Sequence, residues 1–279
     1  MRVSVKKNLS RVLLSALLVV VLVVVLFPVF VSISVSFKPP TEVQRYPPTF
    51  FPRHPTLANY KNLLVGRNFV SYVANTIFIA FVTTAASLGL GTLAAYALSR
   101  HEFKGRKLLS QSVLLAYMFP QVLLVIPLYM IMNRWGLVDT RTSLIIAYTT
   151  FSLPLCIWLL KGYFDGLPPD IENSARIDGC SEMGILARIV LPLSAPGVMS
   201  AGAFSFMLVW LEYLFAMTFV TSGAKLTITA GIASVVGQYW AGYGLLMAAS
   251  VIATAPAIFF FAAAQRFVIG GLLAGAVKG

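Results

Sequence analysis

Residues 12–37 read VLLSALLVVVLVVVLFPVFVSISVSF, without a charge, between the basic group Arg2, Lys6, Lys7, Arg11 and Lys38. About 20 apolar residues carry a helix across the hydrocarbon core, so this run predicts a crossing. It is too long for the apolar centre of a secretory signal, and no small-x-small cleavage site closes it. An uncleaved first span, 12–36, is therefore expected. Working outward, the charge-free stretches repeat. Asn68–Ser99 predicts a second span centred on 72–98, Leu108–Asn133 a third, and Thr142–Leu160 a short fourth. Ile189–Leu211, continued past Glu212 to Ala224, predicts a fifth starting after Pro196, and Leu226–Gln265 a glycine-rich loop and then a sixth near 245–267. None alternates with the period of a barrel strand. Helices are then the remaining way to satisfy the backbone in lipid, with Pro28, Pro120, Pro127, Pro154 and Pro256 inside them as tolerated kinks.

Composition agrees. Charged residues are 11% and apolar residues 58%, against about 25% charged in a soluble domain. The formal charge of +12 is explained by Lys and Arg gathered on one side of a membrane, with no need for nucleic acid. With the N-terminus inside, the inner side collects 13 Lys and Arg and the outer side eight. Both termini are expected to be cytoplasmic. The outer segment 38–67 holds Pro39, Pro40, Tyr46, Pro47, Pro48, Phe50, Phe51 and Pro52. It is too proline-rich for a long helix and reads as an ordered external loop lying against the membrane.

The segment between spans four and five, 165–192, holds five of the nine acidic residues: Asp165, Asp170, Glu172, Asp178 and Glu182. Pro168 and Pro169 stop the preceding helix, Asp170 is expected at the N-cap, and Glu172 suits the first turn. Gly179 fits the left-handed position that ends a helix, and Ser181 fits the start of another. Met183, Ile185, Leu186, Ile189 and Val190 give that second helix an apolar face. Two readings stand on these residues: a docking surface for another protein, or a connecting loop on the lipid headgroups.

Here the chain resembles a known family. Glu172-x-x-Ala175-x-x-Asp178-Gly179, then Ile189-x-Leu191-Pro192 and Pro196, is similar to the cytoplasmic "EAA" loop of ABC-importer permeases. Leu57-x-Asn59-Tyr60, Asn75-Thr76, the run from Ala94 to Arg100, and the tail from Gln265 to Gly279 resemble the maltose-type carbohydrate permeases. The loop departs from its namesake, since Asn173 and Ser174 follow Glu172, and Cys180 stands where alanine is usual. The resemblance implies a type I ABC-importer permease fold, a single transmembrane domain over 1–279 with its core near 70–267. It places the protein in the bacterial plasma membrane as a carbohydrate transport subunit. It implies a coupling helix built from Glu172, Ala175, Arg176, Asp178, Gly179, Met183, Ile185 and Leu186. Glu172 would pair with a basic residue of the ATPase, and Met183, Ile185 and Leu186 would fill its cleft. The implied partners are an ABC ATPase dimer, a second homologous permease and an extracytoplasmic solute-binding protein, around a sugar-like solute.

No Gly-x-x-x-x-Gly-Lys-Ser/Thr phosphate loop occurs, so ATP is expected on the partner subunit, with no cofactor or metal in this chain and no enzymatic activity. Cys156 and Cys180 form no metal or disulfide pattern, and His54 and His101 have no ligand cluster around them. Glu212 is the only acid inside a predicted span. With Trp210 and Tyr213 it could line the solute path, sit at the outer face, or pair with the second permease. The segment 226–244, with Gly237, Gln238, Tyr239, Trp240, Gly242 and Tyr243, reads either as a sugar-facing loop or as an interfacial aromatic belt. A secondary transporter would need more embedded ionisable groups and internal repeats. A membrane enzyme would need paired carboxylates or a nucleophile, which the spans do not hold.

Overall fold

The computed structural model describes residues 2–238 and 242–276. The side chains of the tail motif beyond 265 lie outside the described residues, as do Tyr239 and Trp240. In chain order the α-helices are α1 Arg2–Ser36, α2 Pro40–Val43, α3 Ala58–Leu64, α4 Phe69–Arg100, α5 Arg106–Met118, α6 Val125–Arg134, α7 Arg141–Asp165, α8 Pro169–Ile177, α9 Glu182–Ile185, α10 Leu191–Leu193, α11 Ala195–Trp210, α12 Leu214–Phe219, α13 Ile228–Gln238 and α14 Tyr243–Ala276. No strand occurs among the described residues.

Among the described residues four helices are long and apolar enough to cross a membrane: Arg11–Ser36, Phe69–Arg100, Arg141–Asp165 and Tyr243–Ala262. Two bent pairs bring the number to six when each is counted once. This is the number read from the sequence, but with corrections. The third span is not one helix: α5 and the stretch Gln121–Arg134 meet at 93°. Pro120 lies in that break and Pro127 in the first turn of α6, where a missing N–H costs nothing. The fourth runs 25 residues rather than being short. The fifth is only 16 residues, about 24 Å, and breaks at 211–213 before α12. The glycine-rich loop expected at 226–244 is helical over Ile228–Gln238.

By contacts the chain divides into two compact units, 1–68 with 232–254, and 69–231 with 255–279. In the first, the proline-rich segment is ordered by one buried carboxylate. Glu42 accepts from the backbone N–H of Arg53 (2.8 Å) and His54 (3.2 Å) and from the Thr49 hydroxyl. The Arg53 N–H beside it holds this carboxyl below the usual range. Asn59 donates to the carbonyls of Ser36 and Lys38, tying α3 to the end of α1.

In the second unit, α4, α7 and α11 pack on one another. The core joins Ala95, Tyr96 and Leu98 to Cys156, Leu160, Phe164, Ala175, Ile185, Leu186, Val190 and Ala201. In lipid, helices associate by close packing and small residues. Gly197 shows why: a Cβ there would lie 2.3 Å from the Tyr163 ring. Ser152, Ser205 and Thr84 share hydroxyl hydrogen bonds across the three helices. We expect Gly197→Ala to lower stability by about 1–3 kcal/mol through overpacking, and Tyr163→Ala in the same chain to return part of it. Thermal unfolding in detergent checks both, and an unchanged midpoint for Gly197→Ala contradicts the packing argument.

At one end of this unit, Asp139 in the left-handed region (φ 61°) clamps the turn before α7 to the stretch after α12. Its carboxylate accepts from the Ser222 hydroxyl, the Ser222 and Thr221 N–H groups (2.8 and 3.0 Å) and Lys225 Nζ (2.9 Å). The Ser222 hydroxyl first, then its N–H and Lys225, hold the Asp139 carboxyl far below the usual range. A depressed folded value means the clamp stabilises fully above the unfolded value of about 3.9 and loses that contribution as pH falls below it. The stability gap between the parent and Asp139→Asn is therefore expected to be open at pH 7 and to narrow below about pH 4. A gap that does not change with pH would remove the clamp.

Candidate functional site

The segment 165–193 is fixed by its ends. Pro168 is the N-cap of α8 and Pro169 its first residue, which places Asp170 in the first turn and not at the cap, as expected from sequence. Proline at the first helical position suits the fixed φ and displaces the predicted cap by two residues. At the other end Gly179 has φ 82°. Its N–H reaches the Arg176 carbonyl and the Cys180 N–H reaches the Ala175 carbonyl, both near 3.0–3.1 Å. These two bonds are the Schellman closure of a helix. Ser181 then caps α9, its hydroxyl accepting from the Gly184 N–H at 3.2 Å. A π-helical turn, Leu186–Val190, and α10 lead to an 81° bend into α11.

The carboxylate of Glu172 faces the bundle and is 2% exposed. Arg100 Nε, at the end of α4, donates to it at 2.6 Å, and the Tyr96 hydroxyl lies 3.0 Å from its other oxygen. Arg100 also reaches the Leu167 carbonyl at 3.2 Å. The same Tyr96 hydroxyl lies 3.2 Å from Glu182, which Arg176 grips with two nitrogens at 2.7 and 3.0 Å. The Arg176 fork holds the Glu182 carboxyl below its usual range, and Glu182 in turn raises Arg176. Beside them Ser99 and Lys161 both hold Asp165, each at 2.6 Å. The last carbonyls of α4, Leu98 and Ser99, accept from Arg106. The end of α4 and the start of α8 are thus one connected polar network.

This corrects two expectations. Glu172 does not present its charge outward, because a buried carboxylate needs a close partner and Arg100 supplies it. Ile185 and Leu186 do not form an outward face; they are buried with Ala175 in the bundle core. What the segment presents outward is Ile177, 86% exposed, with Ile171, Asp178, Cys180 and Met183. Arg100 and Tyr96 were missed as site residues. Their i, i+4 spacing on one face of α4, closing an apolar span, was the available signal.

The three path candidates are separated. Trp210 is 2% exposed and stacks on Phe206, so its ring is not offered to a solute in this conformation. Glu212 lies in the break after α11. It accepts from the N–H groups of Phe215 (3.0 Å) and Ala216 (3.3 Å) and from the Tyr148 hydroxyl (2.7 Å). One residue before the N-cap Tyr213, it takes up free N–H groups of the first turn of α12, where a carboxylate suits the helix dipole. Tyr213 is exposed.

A helical bundle of apolar crossings, with a rigid amphipathic projection locked to the end of one of them, defines the membrane subunit of a transporter. The chain belongs to the family of binding-protein-dependent transport system inner membrane components, whose model matches residues 87–272. It is a membrane-spanning ABC transporter permease of the importer type. It is 37% identical to the inner membrane ABC transporter permease protein YcjP of Escherichia coli, over 90% of this chain and 91% of that one. It is 37% identical to the trehalose transport system permease protein SugB of Mycobacterium tuberculosis, over 90% and 92%. It is 40% identical to the trehalose/maltose permease MalG of Thermococcus litoralis, over 80% and 82%. In fold it is similar to a bacterial ABC transporter involved in the import of alginate, with TM-score 0.78, 21% identity, and coverage of 94% and 97%.

Proposed function

We propose that the chain and a second homologous permease form the path for a sugar or sugar-like solute, driven by a separate ATPase dimer that seats on the segment Pro169–Leu193. The observation that carries this reading is the two-faced build of that segment: one side held to the bundle through Glu172 and Arg100, the other offering Ile177 and Met183 to solvent. A rigidly held lever with an exposed apolar tip passes the closure of a partner into the helices it is attached to. The saccharide class rests on the names of the relatives, trehalose and maltose among them. ATP belongs to the partner, since the chain has no phosphate loop, and this chain itself carries out no catalysis. A solute-binding protein delivers the cargo on the face opposite the lever, and both termini lie on the lever's side. The whole chain works as one permease domain, with Glu212 holding the broken end of the fifth span and Tyr213 nearest the path.

Cys180 reports the orientation directly, because it is exposed beside Gly179 whereas Cys156 is buried. A membrane-impermeant maleimide is expected to modify it in inverted vesicles stripped of the ATPase and to leave it untouched in right-side-out ones. Modification from the outside would put the lever on the wrong face and end the proposal.

A further inference from the structure

The proline-rich segment does not stand away from α1; it folds back along it. The Phe50 carbonyl accepts from the Ser34 hydroxyl and the Thr49 carbonyl from Lys38 Nζ. The rings of Phe50 and Phe51 meet those of Phe27 and Phe30 edge-on, with centroids 6.4 and 5.5 Å apart. The position of this contact along α1 can be measured against the membrane. From Arg11, the last basic residue before the apolar run, to Phe30 is about 29 Å of helix, close to the ~30 Å of a hydrocarbon core. Beyond Phe30 the helix changes character: Ser32, Ser34 and Ser36 appear, and the exposed sheath of 12–30 gives way to partly buried positions. The four rings therefore mark the level at which α1 leaves the hydrocarbon.

The exposed charges of the segment have one sign. Glu42 is the only acid in 38–67, and its oxygens are taken by the Thr49, Arg53 and His54 donors. Arg45 and Arg53 are exposed, as are Phe50 and Phe51 on the same segment, and Tyr46 is 91% exposed. Rings with an apolar body at the hydrocarbon edge, on one short segment with exposed guanidinium groups, fit the interfacial zone. Guanidinium pairs well with phosphate oxygens. The apolar surface is also continuous with the exposed sheath of α1, a surface suited to acyl chains.

We infer that residues 45–53 form a lipid-headgroup latch, in which Phe50 and Phe51 hold the end of α1 at the hydrocarbon edge while Arg45 and Arg53 bind the phosphates of anionic phospholipid. This gives a role to Arg45 and Arg53, two of the five basic residues that the segment carries on the far side of the first span against the positive-inside trend.

The test uses the intact transporter in nanodiscs, with Cys180→Ser and an environment-sensitive fluorophore on Phe51→Cys. A second chain carries the label on Tyr46→Cys, where no ring packing is disturbed. The latch requires blue-shifted emission, quenching by headgroup-nitroxide lipid, and little quenching by aqueous iodide. Quenching by labelled phosphatidylglycerol should exceed that by labelled phosphatidylcholine, and each of Arg45→Gln and Arg53→Gln should cut that preference roughly fivefold. Water-like emission at both sites, quenched by iodide and not by lipid, overturns the proposal. So does protection that appears only when a solute-binding protein is added, which would assign the surface to a protein. An equal response to the two lipids overturns the phosphate-binding part.

Discussion

Arg100→Ala is expected to be among the most damaging single changes in the second unit. It removes the guanidinium 2.6 Å from the Glu172 carboxylate and leaves that charge 2% exposed with only the Tyr96 hydroxyl and the more distant Arg176 Nη2, 3.9 Å away, beside it. Removing one partner of a buried ion pair costs about 3–5 kcal/mol, a large share of a typical 5–15 kcal/mol stability. The half-exposed Lys161–Asp165 pair sets the contrast, since Lys161→Ala should cost under about 1 kcal/mol. Lysine at position 100 does not substitute, because one ammonium cannot reach Glu172 and the Leu167 carbonyl with the same fork. The double change Arg100→Met with Glu172→Leu removes both charges together. Apolar replacement of a whole buried pair is often neutral in stability, so folding should return. Uptake should stay low, because the directional link between α4 and α8 is gone. Midpoints from detergent unfolding, set beside uptake in proteoliposomes, separate the two effects. An Arg100→Ala chain with parental stability and uptake would show that the network is not a lock.

The crossings were legible because a charge-free run of sufficient length leaves little choice in lipid, and 12–37 and 68–99 meet that condition unaided. The breaks were not. Pro120 divides the third span and Glu212 receives the first-turn N–H groups of a new helix after the fifth, yet in sequence each looks like an ordinary kink or an embedded charge. Whether an embedded acid serves a helix end is settled by partners that come from distant residues, such as Tyr148, 64 positions from Glu212. In the same way Gly179 and Ser181 were readable as local backbone chemistry, since their roles need only adjacent residues. The burial of Glu172 was not, because its partner Arg100 is 72 positions away. The segment 226–244 misled through its glycines: Gly231 fits a helix pressed against Tyr72, where a Cβ would lie 2.3 Å from the ring.

Ile177→Glu is expected to strip the ATPase from the permease while leaving the permease folded. Ile177 is the last residue of α8 and is 86% exposed, so changing it should alter the stability of the isolated chain by no more than about 0.5 kcal/mol. Under the proposed docking, however, a β-branched apolar tip held at fixed direction has the makings of an interface anchor. Little entropy is lost on seating it, and the closure through Gly179 and Cys180 already sets its position. Truncation of such anchors costs about 2 kcal/mol or more, roughly 30-fold in affinity, and a buried unpaired carboxylate adds to that. The readout is the ATPase retained on a tagged permease, with the unfolding midpoint measured on the same sample. Val65→Glu, at an apolar position of the other unit that is 76% exposed, should retain the ATPase in full. Gly179→Val keeps Ile177 but forces φ 82° on a β-branched residue at a cost of about 1–2 kcal/mol, and should lose part of the ATPase by turning the anchor aside. Full retention by Ile177→Glu would mean that the partner grips another part of the segment, and the lever would have to be redrawn around Ile171 and Met183.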